Sequence, residues 1–147
     1  MANIETINKD EILFRWLVDG LSPAFPLTFE FLQMSEGWAA VAPIPSEAPG
    51  VFLDGSAERQ YDFMLQLAFA VSDDADSPAN TRNLFSLRQW QDWIDEQEIA
   101  GNYPDFGAKC SCYELINLSI DPTMAGRQDD GLAKYQFPAR LIYLEDK

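Results

Sequence analysis

From Tyr61 to Val71 every second residue is large and apolar: Tyr61, Phe63, Leu65, Leu67, Phe69 and Val71. Successive side chains of an extended strand point to opposite faces, so this stretch predicts a long strand with one face on a core. The alternate positions, Asp62, Met64, Gln66, Ala68 and Ala70, are smaller or more polar. They predict a second face that meets solvent or a neighbouring subunit. Whatever else the chain does, it must supply an apolar layer for one side of a sheet.

Two helices are predicted to supply that layer. Ile12, Leu13, Trp16 and Leu17 recur at helical spacing, with Asn8 placed as a cap, Asp10 and Glu11 in the first turn and Gly20 as a stop. A second helix is expected from about Thr81 to Ala100, with Leu84, Leu87, Gln91 and Ile94 on one stripe, Trp90 and Trp93 beside it, and Gly101 ending it. Arg88 and Asp92 are four apart and predict an ion pair on its wet side, worth about 0.2 to 0.5 kcal/mol.

Further strands are expected over Leu27–Met34, turning at Glu36-Gly37 into Trp38–Ile44, and over residues 109 to 120 and 132 to 144, the last two as a hairpin. Residues 43 to 58, 72 to 80 and 121 to 131 are rich in Pro, Gly, Ser and Asp and predict irregular connections. The order is helix, two strands, a long strand, helix, two strands. It predicts an α+β fold, with a mixed, mainly antiparallel sheet of about five strands and both helices packed on one face. At 147 residues, with no repeat and no linker, the chain is expected to form a single domain over 1–147 around one core.

Composition removes several chemistries. There is no His, which takes away the usual general base near neutral pH and every Ser-His or Cys-His pair. Ten Lys plus Arg against twenty-four Asp plus Glu give a formal charge of -14, which opposes phosphate backbones and anionic lipid. High-affinity binding to nucleic acid or a membrane surface is not expected, though acidic walls suit a channel through which DNA slides. Cys110 and Cys112 would share one strand face, too far apart for easy closure, and are expected to be reduced apolar residues. The opening MANIETINKDEILFRW lacks the apolar run and small-residue cleavage site of a secretory signal.

The remaining constellations each have a plainer explanation. Asp73 with Asp74, and Asp129 with Asp130, could in principle form an acid–base carboxylate pair, but each sits among turn residues and is expected to be solvated. Asp73, Asp74 and Asp76 are spaced somewhat like cation ligands, without the turning Gly or closing Glu of a Ca²⁺ loop. Cys110-Ser-Cys112 has no second pair to complete a zinc site. No phosphate loop, dinucleotide fingerprint or nucleophile elbow occurs. No metal, cofactor or catalytic residue is therefore expected, and the chain is not expected to be an enzyme. Val51-Phe52-Leu53, apolar within a loop, is a candidate contact patch. So is the loop 121 to 131, either a hairpin tip or an arm that orders on a neighbour.

The long strand Tyr61-Asp-Phe-Met-Leu-Gln-Leu-Ala-Phe69, the Asn80-Thr-Arg-Asn-Leu84 entry into the helix Leu87-Arg-Gln-Trp-Gln-Asp-Trp-Ile-Asp-Glu-Gln97, and the closing Tyr135-Gln-Phe-Pro-Ala-Arg-Leu-Ile-Tyr143 resemble the tail terminator proteins of long-tailed bacteriophages, often labelled minor capsid proteins. The resemblance runs from about residue 5 to 145. It implies a virion subunit, made in the bacterial host cytoplasm, that forms a ring, typically a hexamer, at the head–tail junction. There it would cap the major tail tube protein, end tail polymerisation and meet the head–tail connector proteins. Val51, Phe52, Leu53, Met124, Arg127, Asp129 and Asp130 would then be subunit or tube contacts. Asp73, Asp74 and Asp76 would line a lumen through which DNA passes unheld, with no membrane contact. The alternative is a small acidic DNA mimic that inhibits a nucleic-acid-binding protein, which would need its charge arrayed on one continuous face.

Overall fold

The computed structural model describes residues 7–21, 27–30, 32, 37–45, 55–71, 79–127 and 131–146. Among them, helices α1 (Lys9–Leu21) and α2 (Ala79–Ala100) accompany strands β1 (Leu27–Phe29), β2 (Trp38–Ile44), β3 (Ala57–Ala70), β4 (Cys110–Asn117), β5 (Thr123–Arg127) and β6 (Leu132–Glu145). The sheet has six strands in the order β1-β2-β3-β6-β4, with β5 also on β6. The α+β class is as predicted, with one more strand than expected. The extra strand is β5, in the segment predicted to be a loop.

The alternation in β3 does what its period requires. β3 and β6 pair antiparallel from Ala57↔Glu145 to Ala70↔Leu132, which sets Phe63 opposite Ala139, Leu65 opposite Phe137 and Leu67 opposite Tyr135. All six of these side chains are buried. Leu13 and Leu17 of α1 and Leu87, Trp90 and Ile94 of α2 join the same cluster, so both helices cover this one face. Each buried aliphatic or aromatic side chain contributes about 1.5 to 3 kcal/mol.

Helix ends follow their sequence signals, with one exception. Asn8 Oδ1 accepts from the Glu11 backbone N–H at 3.0 Å, capping α1. Gly101, at φ 68°, closes α2, where the Gly101 N–H donates to Glu98 O and the Asn102 N–H to Gln97 O. Gly20, predicted to be a stop, instead lies inside α1. A Cβ there would fall 2.1 Å from Cζ2 of Trp93, so the residue is glycine to let α1 approach the α2 indole. Trp16 packs on the same Trp93 ring, centroids 4.8 Å apart.

The expected turn at Glu36-Gly37 falls partly outside the described residues, which resume at Gly37. β1 ends at Phe29 and runs parallel to β2, Leu27↔Ala39 to Phe29↔Val41. Glu30, directly after β1, takes a left-handed φ of 69° and donates its N–H to Val41 O. Of the strand expected over Leu27–Met34, β1 covers Leu27–Phe29, and Phe31, Gln33 and Met34 lie outside the described residues. The expected pairing of the last two long strands does occur, with β4 antiparallel to the second half of β6.

Candidate functional site

The second face of the sheet carries no helix among the described residues. Trp38, Ile44, Met64, Ile116, Ile142 and Leu144 project there half-buried, around a polar centre. In that centre Asp62 faces Arg140 directly across the β3–β6 ladder. Two parallel hydrogen bonds, Nε to Oδ1 at 2.8 Å and Nη2 to Oδ2 at 3.1 Å, join them, with Asp62 only 7% exposed. Further along the same face, beyond Met64 and Pro138, Gln66 Nε2 donates to Gln136 Oε1 at 3.2 Å. The carboxylate holds the Arg140 guanidinium's proton still more firmly than usual. A closed, bidentate pair of this kind positions surface and leaves no acid or base free for chemistry.

At the opposite edge, β4 and β5 share one side of β6. β4 pairs residues 139 to 145 and β5 residues 133 to 136. β4 is tied to α2: a Glu98 carboxylate oxygen accepts the Leu115 N–H, and Asn117 Nδ2 donates to Gln91 O at 3.0 Å and Asp95 Oδ1 at 2.9 Å. A bulge between Cys112 and Glu114 gives Tyr113 its outward position, 44% exposed, with its hydroxyl donating to Glu58 at 2.6 Å. The Tyr103 hydroxyl lies 2.9 Å from both Glu98 Oε1 and Tyr113 O, and its single proton serves one of them. Burial and the Glu98 carboxylate push that phenol up to about 12.

Between α2 and the β4–β5 connection lies an open groove of about 520 Å³. Its walls are Phe85, Leu118 and Ile120, exposed at 60, 39 and 91%. Arg88, Asp92 and Asp95 form its polar rim. Arg88 does not pair with Asp92 as its spacing predicts; its Nη1 reaches Asp121 Oδ1 at 2.7 Å, across the groove. Gln91 Nε2 donates to Ser119 O at 3.1 Å, holding the far wall. Asn117 Oδ1 is the buried side-chain oxygen that finds no donor among the described residues.

Of the residues singled out from sequence, Met124 and Arg127 lie on β5, in which all five residues are exposed. Val51, Phe52, Leu53, Asp73, Asp74, Asp76, Asp129 and Asp130 lie outside the described residues. Cys110 and Cys112 are free, half-buried, and share the core-facing side of β4, where burial and the neighbouring thiol push Cys112 up to about 12. Such thiols are poor nucleophiles. Among the described residues no group of His, Cys, Asp or Glu could hold a metal ion. Nor is any described helix long and apolar enough to cross a membrane. Sequence reasoning missed the groove, because Phe85 and Ile120 are ordinary surface positions until the fold sets them side by side. No protein-family model matches the chain, and comparison with characterised proteins gives no significant match.

Proposed function

We propose that this chain is a structural ring subunit of the tail-terminator kind, which assembles on a finished phage tail tube, stops its growth and presents the surface to which a filled head attaches. The observation that carries the reading is β5. It is hydrogen-bonded to β6 along one edge yet exposed at every residue, with Met124 at 50%. An exposed edge strand is a template for further contact, and proteins that stay monomeric cover or blunt such edges. The half-buried apolar ring on the second sheet face offers a further contact area. Binding is then the whole of the mechanism: copies of this chain, the tail tube protein and head–tail connector proteins are the partners, and the acidic charge keeps passing DNA from sticking.

The DNA-mimic alternative fits less well. Glu11, Asp62, Asp121 and Glu145 are each paired with a cation, on α1, β3, the β4–β5 connection and β6, and do not form one phosphate-like row. Light scattering of the chain alone and with tail tube protein tests the proposal. A discrete ring, formed alone or on the tube, is expected. A species that stays monomeric and ignores the tube in every condition would sink it.

A further inference from the structure

We propose that Glu98 and Tyr103 form a guard on the open edge of the sheet, holding β4 closed to strand pairing with a second copy of this chain. The inference stands apart from the ring-subunit reading. Among the described residues β4 ends the strand order, so the sheet itself leaves the backbone groups that point away from β6 without partners. An end strand in that state is a template on which another strand adds. The sequence of β4, Cys110-Ser-Cys-Tyr-Glu-Leu-Ile-Asn117, suits such pairing, with one acid and no Pro or Gly.

Side chains meet two neighbouring groups of that edge, the Tyr113 carbonyl and the Leu115 N–H. The Leu115 N–H donates to a Glu98 carboxylate oxygen. The Tyr103 hydroxyl, 2.9 Å from Tyr113 O, occupies the place of an incoming N–H, and it also lies 2.9 Å from the other Glu98 oxygen. The two side chains are thus one unit laid over the edge. Helix preference does not account for Glu98, which lies in the last turn of α2, where the helix dipole opposes a carboxylate and no basic residue offsets it. The bulge between Cys112 and Glu114 also breaks the spacing that an added strand would follow. The formal charge of -14 repels copies at a distance, but at about 0.15 M salt that repulsion is screened beyond about 8 Å. Protection at contact range falls to the guard.

Three variants of the full-length chain, compared with the parent at about 0.15 M salt, test the guard. Glu98→Ala removes both carboxylate contacts and should raise self-association about tenfold in sedimentation velocity. Glu98→Gln keeps an oxygen for the Leu115 N–H and should behave as the parent. Tyr103→Phe uncovers the Tyr113 carbonyl alone and should raise association about threefold. It keeps the ring, so it carries the test where Glu98→Ala does not fold. Hydrogen exchange at the Leu115 amide reports where the copies meet. In dilute Glu98→Ala it should run about tenfold faster than in the parent, then slow as concentration rises and a partner strand covers the edge. Folded Glu98→Ala and Tyr103→Phe chains that associate no more than the parent overturn the guard and leave Glu98 as a tie between α2 and β4. Association of Glu98→Ala in which the Leu115 amide stays fast overturns it too, since the new contact then lies elsewhere. Each comparison is with the parent, so ring formation by the parent, or its failure, bears on the ring reading and not on this one.

Discussion

β4 and β5 lie along the same edge of the same strand, and they differ in almost everything else. β4 is backed by α2, whose Glu98 takes the Leu115 N–H and whose Gln91 and Asp95 take the Asn117 amide. Leu115 is 2% exposed within the core. β5 has the same kind of ladder to β6, and all five of its residues are exposed. Backbone pairing alone therefore does not commit a strand to the monomer's core. Among the described residues it is a helix over its face that does so for β4.

Substitutions can break that contrast, and the largest effect is expected on the covered side. Leu115→Ala should cost about 3 kcal/mol of unfolding free energy in urea titration, by lost transfer energy and the cavity left behind. A cost below about 1 kcal/mol would mean that β4 is no better anchored than β5. Gly20→Ala comes next. In an exposed helix this change gains about 1 kcal/mol, but here the new Cβ meets Trp93 and the net loss should be about 2 kcal/mol. A gain in stability would show that α1 and α2 are not held in contact.

A smaller effect belongs to the end of β6, where Glu145 accepts from Lys9 Nζ at 3.0 Å and faces Arg59 at 3.8 Å. The hydrogen bond from Lys9 and the charges of Lys9 and Arg59 hold the Glu145 carboxyl below its ordinary 4.5, outweighing its partial burial. The Glu145 hydrogen bond likewise carries Lys9 upward against the opposing effect of burial. A depressed carboxyl contributes stability above its unfolded value and loses it as pH falls through the folded one. Stability of the parent should therefore drop from about pH 4.5 downward more steeply than that of Glu145→Gln, which denaturant midpoints across pH 2 to 6 would register. Equal slopes would remove this pair from the acid response. Met124→Ser, on the bare strand, should change stability by less than about 0.5 kcal/mol. A larger loss would place Met124 in the monomer's own packing.

Much of the fold was legible because periodicity is a local signal. The β3 alternation named its buried face correctly, and Leu84, Leu87, Gln91 and Ile94 named the inner stripe of α2. What was not legible depended on partners distant in sequence. Gly20 has the local signature of a stop, and only the Trp93 ring explains it. Asp62 looked like a solvent residue until register put Arg140 opposite. Arg88 had a nearby acid at the right spacing and took the one across the groove. β5 lacked the alternation of a strand because neither of its faces is buried, so a rule that detects burial had nothing to detect. Met124 and Arg127 lie in the segment 121 to 131, whose length in the sequence suits either a hairpin tip or an arm that orders on a neighbour.

The pairing of β3 with β6 also sets a timetable. Ala57 waits for Glu145, and Phe69 for Ala133. During synthesis β3 is made well before the strand that completes its side of the sheet, and contacts so distant in sequence close slowly. Until residues 132 to 145 emerge, the Tyr61 to Val71 stretch has an unpaired edge and an adhesive surface. A strand edge and apolar face left open in this way are the kind of surface through which incompletely made chains aggregate.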